Sequence, residues 1–208
     1  MKILVFTFSF FVLSVCMANA QSAFSPGAWA VVQVKAALLW RTPRPGIQLR
    51  DAQFPFLSTR DLTLAERLAL GDSETQLLFG EKVRILSEQD SWVQVQVSSQ
   101  PKRGFQNGYT AWIQKKWLAL NAQYLSNFDH AKKAVVTVAE SNLWADAEHT
   151  KKLSVLSYGT ELPVLKLGDG WVVSVPTGGQ GYLSHESMNW VDPSVFSVEK
   201  LLRSEERL

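Results

Sequence analysis

Cysteine is almost absent from this 208-residue chain. The one cysteine, Cys16, lies in an N-terminal segment that we expect to be removed, so the remaining chain would have no disulfide and no thiolate nucleophile. A small exported fold without disulfides must be held together by packing. Eight tryptophans and eleven phenylalanines can supply that packing, because aromatic side chains bury large areas.

A strong excess of charge of one sign is also lacking. Lys and Arg number 21 and Asp and Glu number 19, which gives a formal net charge of +2 at pH 7. Nucleic-acid binders normally carry a strong basic excess, so we do not expect nucleic acid as a partner. Beyond residue 20, no segment is apolar enough to span a bilayer, and we expect no membrane span.

Patterns of catalytic or metal-binding residues are missing as well. The three histidines, His130, His149 and His185, have no i, i+4 pairing and no acidic cluster at metal-ligand spacing, so we interpret them as surface or capping residues. No Gly-x-Ser-x-Gly motif and no phosphate loop occurs, and the glycine-rich run at 178–181 predicts a turn between strands. The sequence therefore predicts no catalytic residue, no metal site and no cofactor.

The N-terminus has the three parts of a secretory signal peptide. Met1 and Lys2 precede an apolar run from Ile3 to Met17, and Ala18-Asn19-Ala20 forms a small-residue exit. This pattern predicts a signal peptide over residues 1–20 and export to the periplasm, the extracellular space or the cell wall. Acylation of Cys16 is the alternative, although the preceding Val15 is bulkier than the small residue that lipoprotein processing favours.

An internal repeat organises the rest of the chain. Each copy has an aromatic-Gly pair, an alternating strand, a turn with Asp and a Trp-Val pair that opens another strand. The copies lie 79 residues apart: Phe79-Gly80, Lys82–Leu86, Asp90 and Trp92-Val93 in the first, and Tyr158-Gly159, Glu161–Leu165, Asp169 and Trp171-Val172 in the second. Trp40 and Trp144 extend the match upstream, and 108–113 and 179–183 extend it downstream. Short strands with Gly, Asp and Ser turns predict a small all-β barrel or sandwich, present twice.

The two copies differ on one strand. Gln94 and Gln96 alternate with valines in the first copy, which predicts one buried and one wet face. At an offset of 79 residues, Val173 and Val175 occupy the positions of these glutamines. Either β-propensity alone explains the valines, or the outer face of the second copy is covered by another domain.

Three further segments fall outside the repeat. The first copy contains an insert in which Thr63 to Glu66 forms a capping box, so a short helix is expected there, and a second insert lengthens the loop at 100–108. The polar stretch 121–133 is expected to be a linker with few contacts. Asp192-Pro193 predicts the start of a helix over 192–208, because Val195, Val198 and Leu202 would share one face.

These residues carry a resemblance to a known family. The run Glu74–Glu81, the pairs Trp92-Val93 and Trp171-Val172, and the segments 108–113 and 142–144 resemble the N-terminal half of NlpC-type cell-wall cysteine peptidases, particularly γ-D-glutamyl-L-diamino-acid endopeptidases. The resemblance covers roughly residues 28–205 and implies two bacterial SH3-like barrels in tandem, at 28–120 and 134–191. The family's catalytic domain, which supplies the Cys nucleophile, does not appear in this sequence, so its activity is not carried over. The helix at 192–208 resembles the one that would lead into that domain.

The resemblance also implies a substrate site. In the family, the first SH3-like domain contributes an acidic residue and a tyrosine that contact the free amino end of an L-Ala-γ-D-Glu peptide. Glu74 and Tyr109 match these motif positions, and the alternative is a solvated Glu and a Tyr that fills the barrel. Trp92, Trp112 and Trp171 are expected to be core residues. The chain is then either a non-catalytic module that binds murein peptide or the cell wall, or a fragment of an NlpC-type endopeptidase.

Overall fold

A computed structural model describes residues 24–43, 73–100 and 107–191 of the chain. The expected signal peptide, the helix expected after the capping box at Thr63 and the expected C-terminal helix lie outside the described residues, as does most of the insert at 100–108.

The described residues form two antiparallel sheets that repeat one topology. The first unit has the strand order β3-β2-β6-β5-β4-β1-β7, and the second has the equivalent order β10-β9-β13-β12-β11-β8-β14. The strands of the first unit are β1 (Trp29–Val32), β2 (Ala36–Trp40), β3 (Ser73–Leu78), β4 (Lys82–Gln89), β5 (Trp92–Val97), β6 (Tyr109–Gln114) and β7 (Leu118–Ala119). Those of the second unit are β8 (Lys133–Val136), β9 (Glu140–Trp144), β10 (Lys152–Ser157), β11 (Glu161–Leu167), β12 (Gly170–Ser174), β13 (Gln180–Ser184) and β14 (Met188–Trp190). The expected all-β fold with two SH3-like units is confirmed, although no ladder between the end strands closes either barrel within the described ranges.

Alternation along the strands places each hydrophobic core on one face of its sheet. In β5, Val93, Val95 and Val97 are fully buried, whereas Gln94 and Gln96 are only partly buried. The two cores also contain Trp92 and Trp171, as expected, while Trp112 is only partly buried against the first core. Removing these apolar surfaces from water is the main driving force for such a fold.

The outer-face interpretation of Val173 and Val175 is wrong. Val95 pairs with Ile85, and Val173 pairs with Val164, which is the repeat equivalent of Ile85. Val173 therefore corresponds to Val95 and not to Gln94, because eight residues lie between Val164 and Val173, whereas nine lie between Ile85 and Val95. Since side chains alternate with a period of two, this single-residue difference moves the two valines onto the core face. Val173 and Val175 are 0% and 2% exposed, so they leave no apolar surface for a missing neighbour.

The expected linker contains an α-helix over Ala122–His130, which we call the interdomain helix. Asn121 is its N-cap, because the Asn121 side chain accepts a hydrogen bond from the backbone N–H of Tyr124 at 3.0 Å. Tyr124 is completely buried. The expectation that few contacts hold this segment is therefore wrong for the first turns of the helix.

Several contacts join the interdomain helix and the two units. Phe79, which follows β3 of the first unit, is buried in the core of the second unit. The side-chain amide of Asn127 donates to the hydroxyl of Ser174 at 3.0 Å, and that of Asn121 donates to the carbonyl oxygen of Pro176 at 3.0 Å. Lys82 pairs with Asp129 of the helix. The units therefore pack through a mixed apolar and polar interface.

Candidate functional site

Glu74 lies at an irregularity of the first sheet. Leu39 pairs with Thr75 and Trp40 pairs with Ser73, so Glu74 is the extra residue of a β-bulge between β2 and β3. A bulge bends its strand and redirects the side chain at that position, and bulges are over-represented next to active sites. The same irregularity occurs at Leu153, the equivalent position of the second unit, so the bulge belongs to the shared topology and Glu74 places a carboxylate on it.

The carboxylate of Glu74 forms an ion pair with Arg41, the residue after β2. The Glu74 Oε1 to Arg41 Nε distance is 3.0 Å. Only 18% of the Glu74 side chain is exposed, compared with 60% of the Arg41 side chain. The carboxylate is therefore held within the fold, whereas the guanidinium group of Arg41 lies largely in solvent.

Tyr109 begins β6 and pairs with Val97 of β5. Its side chain is half-buried and packs against the edge of the first core. The strands that carry Glu74 and Tyr109 flank β2 on its two sides, because β2 pairs with both β3 and β6. The structure therefore places the two predicted residues in one sheet, in strands that are separated by β2, with Tyr109 in partial contact with the core.

A polar cluster lies immediately after Glu74. The Thr75 hydroxyl donates to Oε1 of Gln100 at 2.7 Å, and Nε2 of Gln100 donates to the carbonyl oxygen of Gln76 at 2.8 Å. Gln100 also donates to Oε2 of Glu81 at 3.4 Å. These bonds tie the loop after β5 to β3 and hold the strand that carries Glu74.

The Glu81 carboxyl has an unusual electrostatic environment. Burial raises its pKa above the ordinary value of 4.5, and the nearby Glu161 carboxylate raises it further. Hydrogen bonds from the backbone N–H of Leu78, at 3.2 Å, and from Gln100 act in the opposite direction and favour the ionised form. Glu81 is thus a carboxyl group at the junction of the two units that gains a proton more readily than a free glutamate.

In the part of the chain that the structure describes, no group of three or more His, Cys, Asp or Glu side chains could hold a metal ion. His130, His149 and His185 are all exposed. Within residues 24–43, 73–100 and 107–191, no helix combines the length and the apolar character needed to cross a bilayer.

Sequence reasoning missed Arg41, Gln100 and Glu81 as neighbours of the predicted site. Arg41 is far from Glu74 along the chain, and only the pairing of β2 with β3 brings them together. Glu81 was recognised as part of a motif, but its burial depends on the loop around Gln100. The only sequence feature that pointed to Gln100 was its position at the start of the insert at 100–108.

Comparisons with known proteins identify both units. Residues 71–118 match the bacterial dipeptidyl-peptidase Sh3 domain family, and residues 136–190 match the YKFC SH3b2 domain family. The chain is 30% identical over 164 residues to a gamma-D-glutamyl-L-lysine dipeptidyl-peptidase of Bacillus cereus (strain ATCC 10987 / NRS 248), a match that covers 74% of this chain and 49% of that protein. It is 32% identical over 137 residues to a protein of the same name from Bacillus subtilis (strain 168), covering 62% of this chain and 44% of that protein.

A solved structure agrees with these matches. The crystal structure of an NlpC/P60 family protein from Bacillus cereus ATCC 10987 superimposes with a TM-score of 0.65 and 27% sequence identity, over 79% of this chain and 56% of that chain. The chain spans about half the length of the curated relatives that it matches. The two expected SH3-like units and their relation to NlpC-type peptidases are thereby confirmed.

Proposed function

Because the chain carries two SH3b-type domains homologous to the SH3b region of NlpC-type peptidases, we propose that it recognises murein peptides through Glu74 and Tyr109 of the first unit. Its relatives support a peptidoglycan-related module, and their activity as gamma-D-glutamyl-L-lysine dipeptidyl-peptidases points to a γ-D-glutamyl peptide as the ligand. Export to the cell wall or periplasm, through the expected signal peptide, belongs to the same proposal.

The single observation that carries the proposal is the bulged, partly buried carboxylate of Glu74. A carboxylate held by the fold can accept hydrogen bonds from the free ammonium group of a peptide. One of its partners, Arg41, is largely exposed, so a ligand ammonium can compete with that guanidinium for the carboxylate. Tyr109 would supply a flat wall and a phenol hydroxyl that limit the length of the bound peptide.

The experiment is a calorimetric titration with the peptide L-Ala-γ-D-Glu-L-Lys. Glu74→Gln should weaken binding about 10- to 100-fold, as expected for a lost charge-assisted hydrogen bond. N-acetylation of the peptide removes the ammonium group and should weaken binding to the wild type by a similar factor, with no further loss in Glu74→Gln. Tyr109→Ala should weaken binding, whereas Tyr109→Phe should retain the aromatic ring that forms the wall of the site.

Glu140→Gln is the matched control, because Glu140 is an exposed glutamate of the second unit that pairs with Lys35. It should bind the peptide as the wild type does. If Glu74→Gln and Tyr109→Ala also bind with unchanged affinity, the two residues have a structural role only and the proposal fails.

The length of the match favours a second candidate function. The relatives are about twice as long as the matched region. The resemblance to NlpC-type peptidases implies that a separate domain supplies the catalytic cysteine. In this candidate, the two units are the substrate-positioning part of an NlpC-type γ-D-glutamyl-L-diamino-acid endopeptidase that acts in peptidoglycan turnover. Sequencing the DNA beyond codon 208 tests it: a reading frame, in this phase or a shifted one, for an Asp-Cys-Ser-Gly stretch would support it, and an unrelated sequence would contradict it.

A further inference from the structure

The second unit has a cleft on the outer face of its sheet. The cleft has a volume of about 400 Å³ and is bordered by the loop before β10 on one side and by the β11–β12 hairpin on the other. Among the residues that line it are His149, Lys166, Gly168, Asp169, Val172 and Tyr182. It lies in the second unit, whereas Glu74 and Tyr109 lie in the first.

The floor of the cleft belongs to a row of side chains that crosses four strands. Trp144 pairs with Tyr182, Tyr182 pairs with Val172, and Val172 pairs with Lys166. Residues that pair directly across strands share one face of a sheet. The neighbours Val173 and Leu183 point into the core, so this row lies on the opposite, solvent face. The aromatic side chain of Tyr182 and the methyl groups of Val172 thereby form the apolar floor of the cleft.

One wall of the cleft is fixed by its own hydrogen bonds. The Asp146 carboxylate accepts from the backbone N–H groups of Thr150 and Lys151, both at 2.8 Å. His149 has a φ of +58°, a backbone conformation that residues other than glycine seldom adopt. Its imidazole stacks on Trp144, with ring centroids 5.5 Å apart and planes 15° apart. The stacking therefore holds the imidazole of His149 against Trp144, at one end of the row of side chains.

The opposite wall of the cleft carries one positive and one negative side chain. Lys166 and Asp169 are both exposed on the hairpin and have opposite charges. Together with the imidazole of His149, they offer hydrogen-bond donors and acceptors around an apolar floor. A ligand with a large net charge gains little from such a rim, whereas a neutral ligand rich in hydroxyl and amide groups can use donors and acceptors alike.

We infer that this cleft binds a sugar ring of a cell-wall glycan, with the ring lying flat on Tyr182 and Val172. A pyranose ring has C–H groups on one face and hydroxyl groups around its edge, which matches an apolar floor with a polar rim. A peptide bound in extended form would need free backbone N–H and C=O groups, as at a sheet edge. Those of β12 are already engaged in ladders with β11 and β13, so the cleft recognises its ligand through side chains.

Gly168 permits a test that spares the floor of the cleft. A Cβ atom added at Gly168 would meet no atom within 4 Å, so the position has room for a side chain. Gly168→Trp places a bulky ring at the entrance, Gly168→Ala is its matched control, and Tyr182→Ala removes the platform. The probes are the soluble N-acetylglucosamine tetramer and the peptide L-Ala-γ-D-Glu-L-Lys, each titrated into the ¹⁵N-labelled chain and followed by NMR.

The tetramer should shift the amide signals of residues 147–149, 166–170 and 182 in the wild type. Gly168→Trp and Tyr182→Ala should weaken its binding at least about tenfold, the size of effect expected when an aromatic contact is lost, while Gly168→Ala and Glu74→Gln should bind it normally. If only the peptide shifts these signals, the cleft is a peptide site and the inference is wrong. If neither probe shifts these amide signals in the wild type, the inference is also wrong. This outcome does not depend on whether the variants fold.

Discussion

The Tyr124 hydroxyl donates a hydrogen bond to the carbonyl oxygen of Gly80 at 3.1 Å, and this bond joins the interdomain helix to the first unit inside a buried contact. Burial raises the pKa of the Tyr124 phenol, so the hydroxyl remains protonated and able to donate throughout the physiological pH range. Gly80 directly follows the aromatic residue that enters the other core. Two adjacent residues, Phe79 and Gly80, thus contact the second core and the interdomain helix, and both contribute to the relative placement of the two units.

Gly80→Ala should destabilise the protein more than Gly159→Ala, its repeat equivalent. Both glycines have a positive φ, +86° and +82°, so both substitutions incur a backbone cost of about 1–2 kcal/mol. At Gly80, an added Cβ would also lie 2.5 Å from the Tyr124 hydroxyl, whereas at Gly159 the nearest atom, Cδ1 of Leu78, is 3.8 Å away. Urea unfolding of both variants measures the difference. Equal losses would show that the contact with Tyr124 relaxes freely.

Phe79→Ala should destabilise the second unit although the residue belongs to the first. Truncating a buried phenylalanine costs about 3–5 kcal/mol, and Phe79 is 3% exposed within the second core. Tyr158→Ala is the matched control, because Tyr158 occupies the equivalent repeat position but is 64% exposed. Hydrogen exchange of the Val173 amide reports the second unit. Protection that falls equally in both variants, or in neither, would contradict the assignment of Phe79 to that core.

Glu81→Gln should raise the free energy of unfolding at neutral pH. The native pKa of Glu81 lies above its ordinary value of 4.5, so the native state holds a proton more tightly than the unfolded state. The favourable contribution is complete below about pH 4.5 and is lost as the pH rises through the native pKa. Glutamine mimics the protonated carboxyl, so the variant should exceed the wild type at pH 7.5 and approach it near pH 4.

Urea unfolding of wild type and Glu81→Gln at a series of pH values gives this comparison, since titration of the other carboxyls is common to both proteins. Glu140→Gln, at an exposed site, should show no such convergence. A variant that is less stable than the wild type at pH 7.5 would mean that the ionised carboxylate stabilises the junction.

Much of the fold could be predicted from the sequence because the repeat combines several features in fixed order. Aromatic-Gly pairs, alternating strands and Trp-Val pairs recur in both copies, and each feature has a local cause in turn geometry or burial. The register of the second hairpin could not be predicted, because matching Trp92 to Trp171 aligns residue types and not strand partners. The pairing of Val173 with Val164 decides the register, and that pairing depends on the whole sheet.

The candidate site was predictable only as far as its motif extends. Glu74 and Tyr109 come from a resemblance, and their roles stay predictions. The bulge at Glu74 and its pairing with Arg41 depend on contacts between segments far apart in sequence. The interdomain helix was missed because its sequence is polar, with Tyr124 as its one fully buried side chain. Its stability comes from packing on both units, a tertiary effect that local propensity does not contain.

The insertion of Phe79 into the neighbouring core limits how these units can be exchanged in evolution. If the first unit were transferred alone into another protein, Phe79 would lose its buried environment. If the second unit were transferred alone, its core would contain a cavity where the Phe79 ring packs. Either defect is corrected only by a compensating substitution in the new partner. The two units are therefore expected to be inherited together, as one evolutionary module.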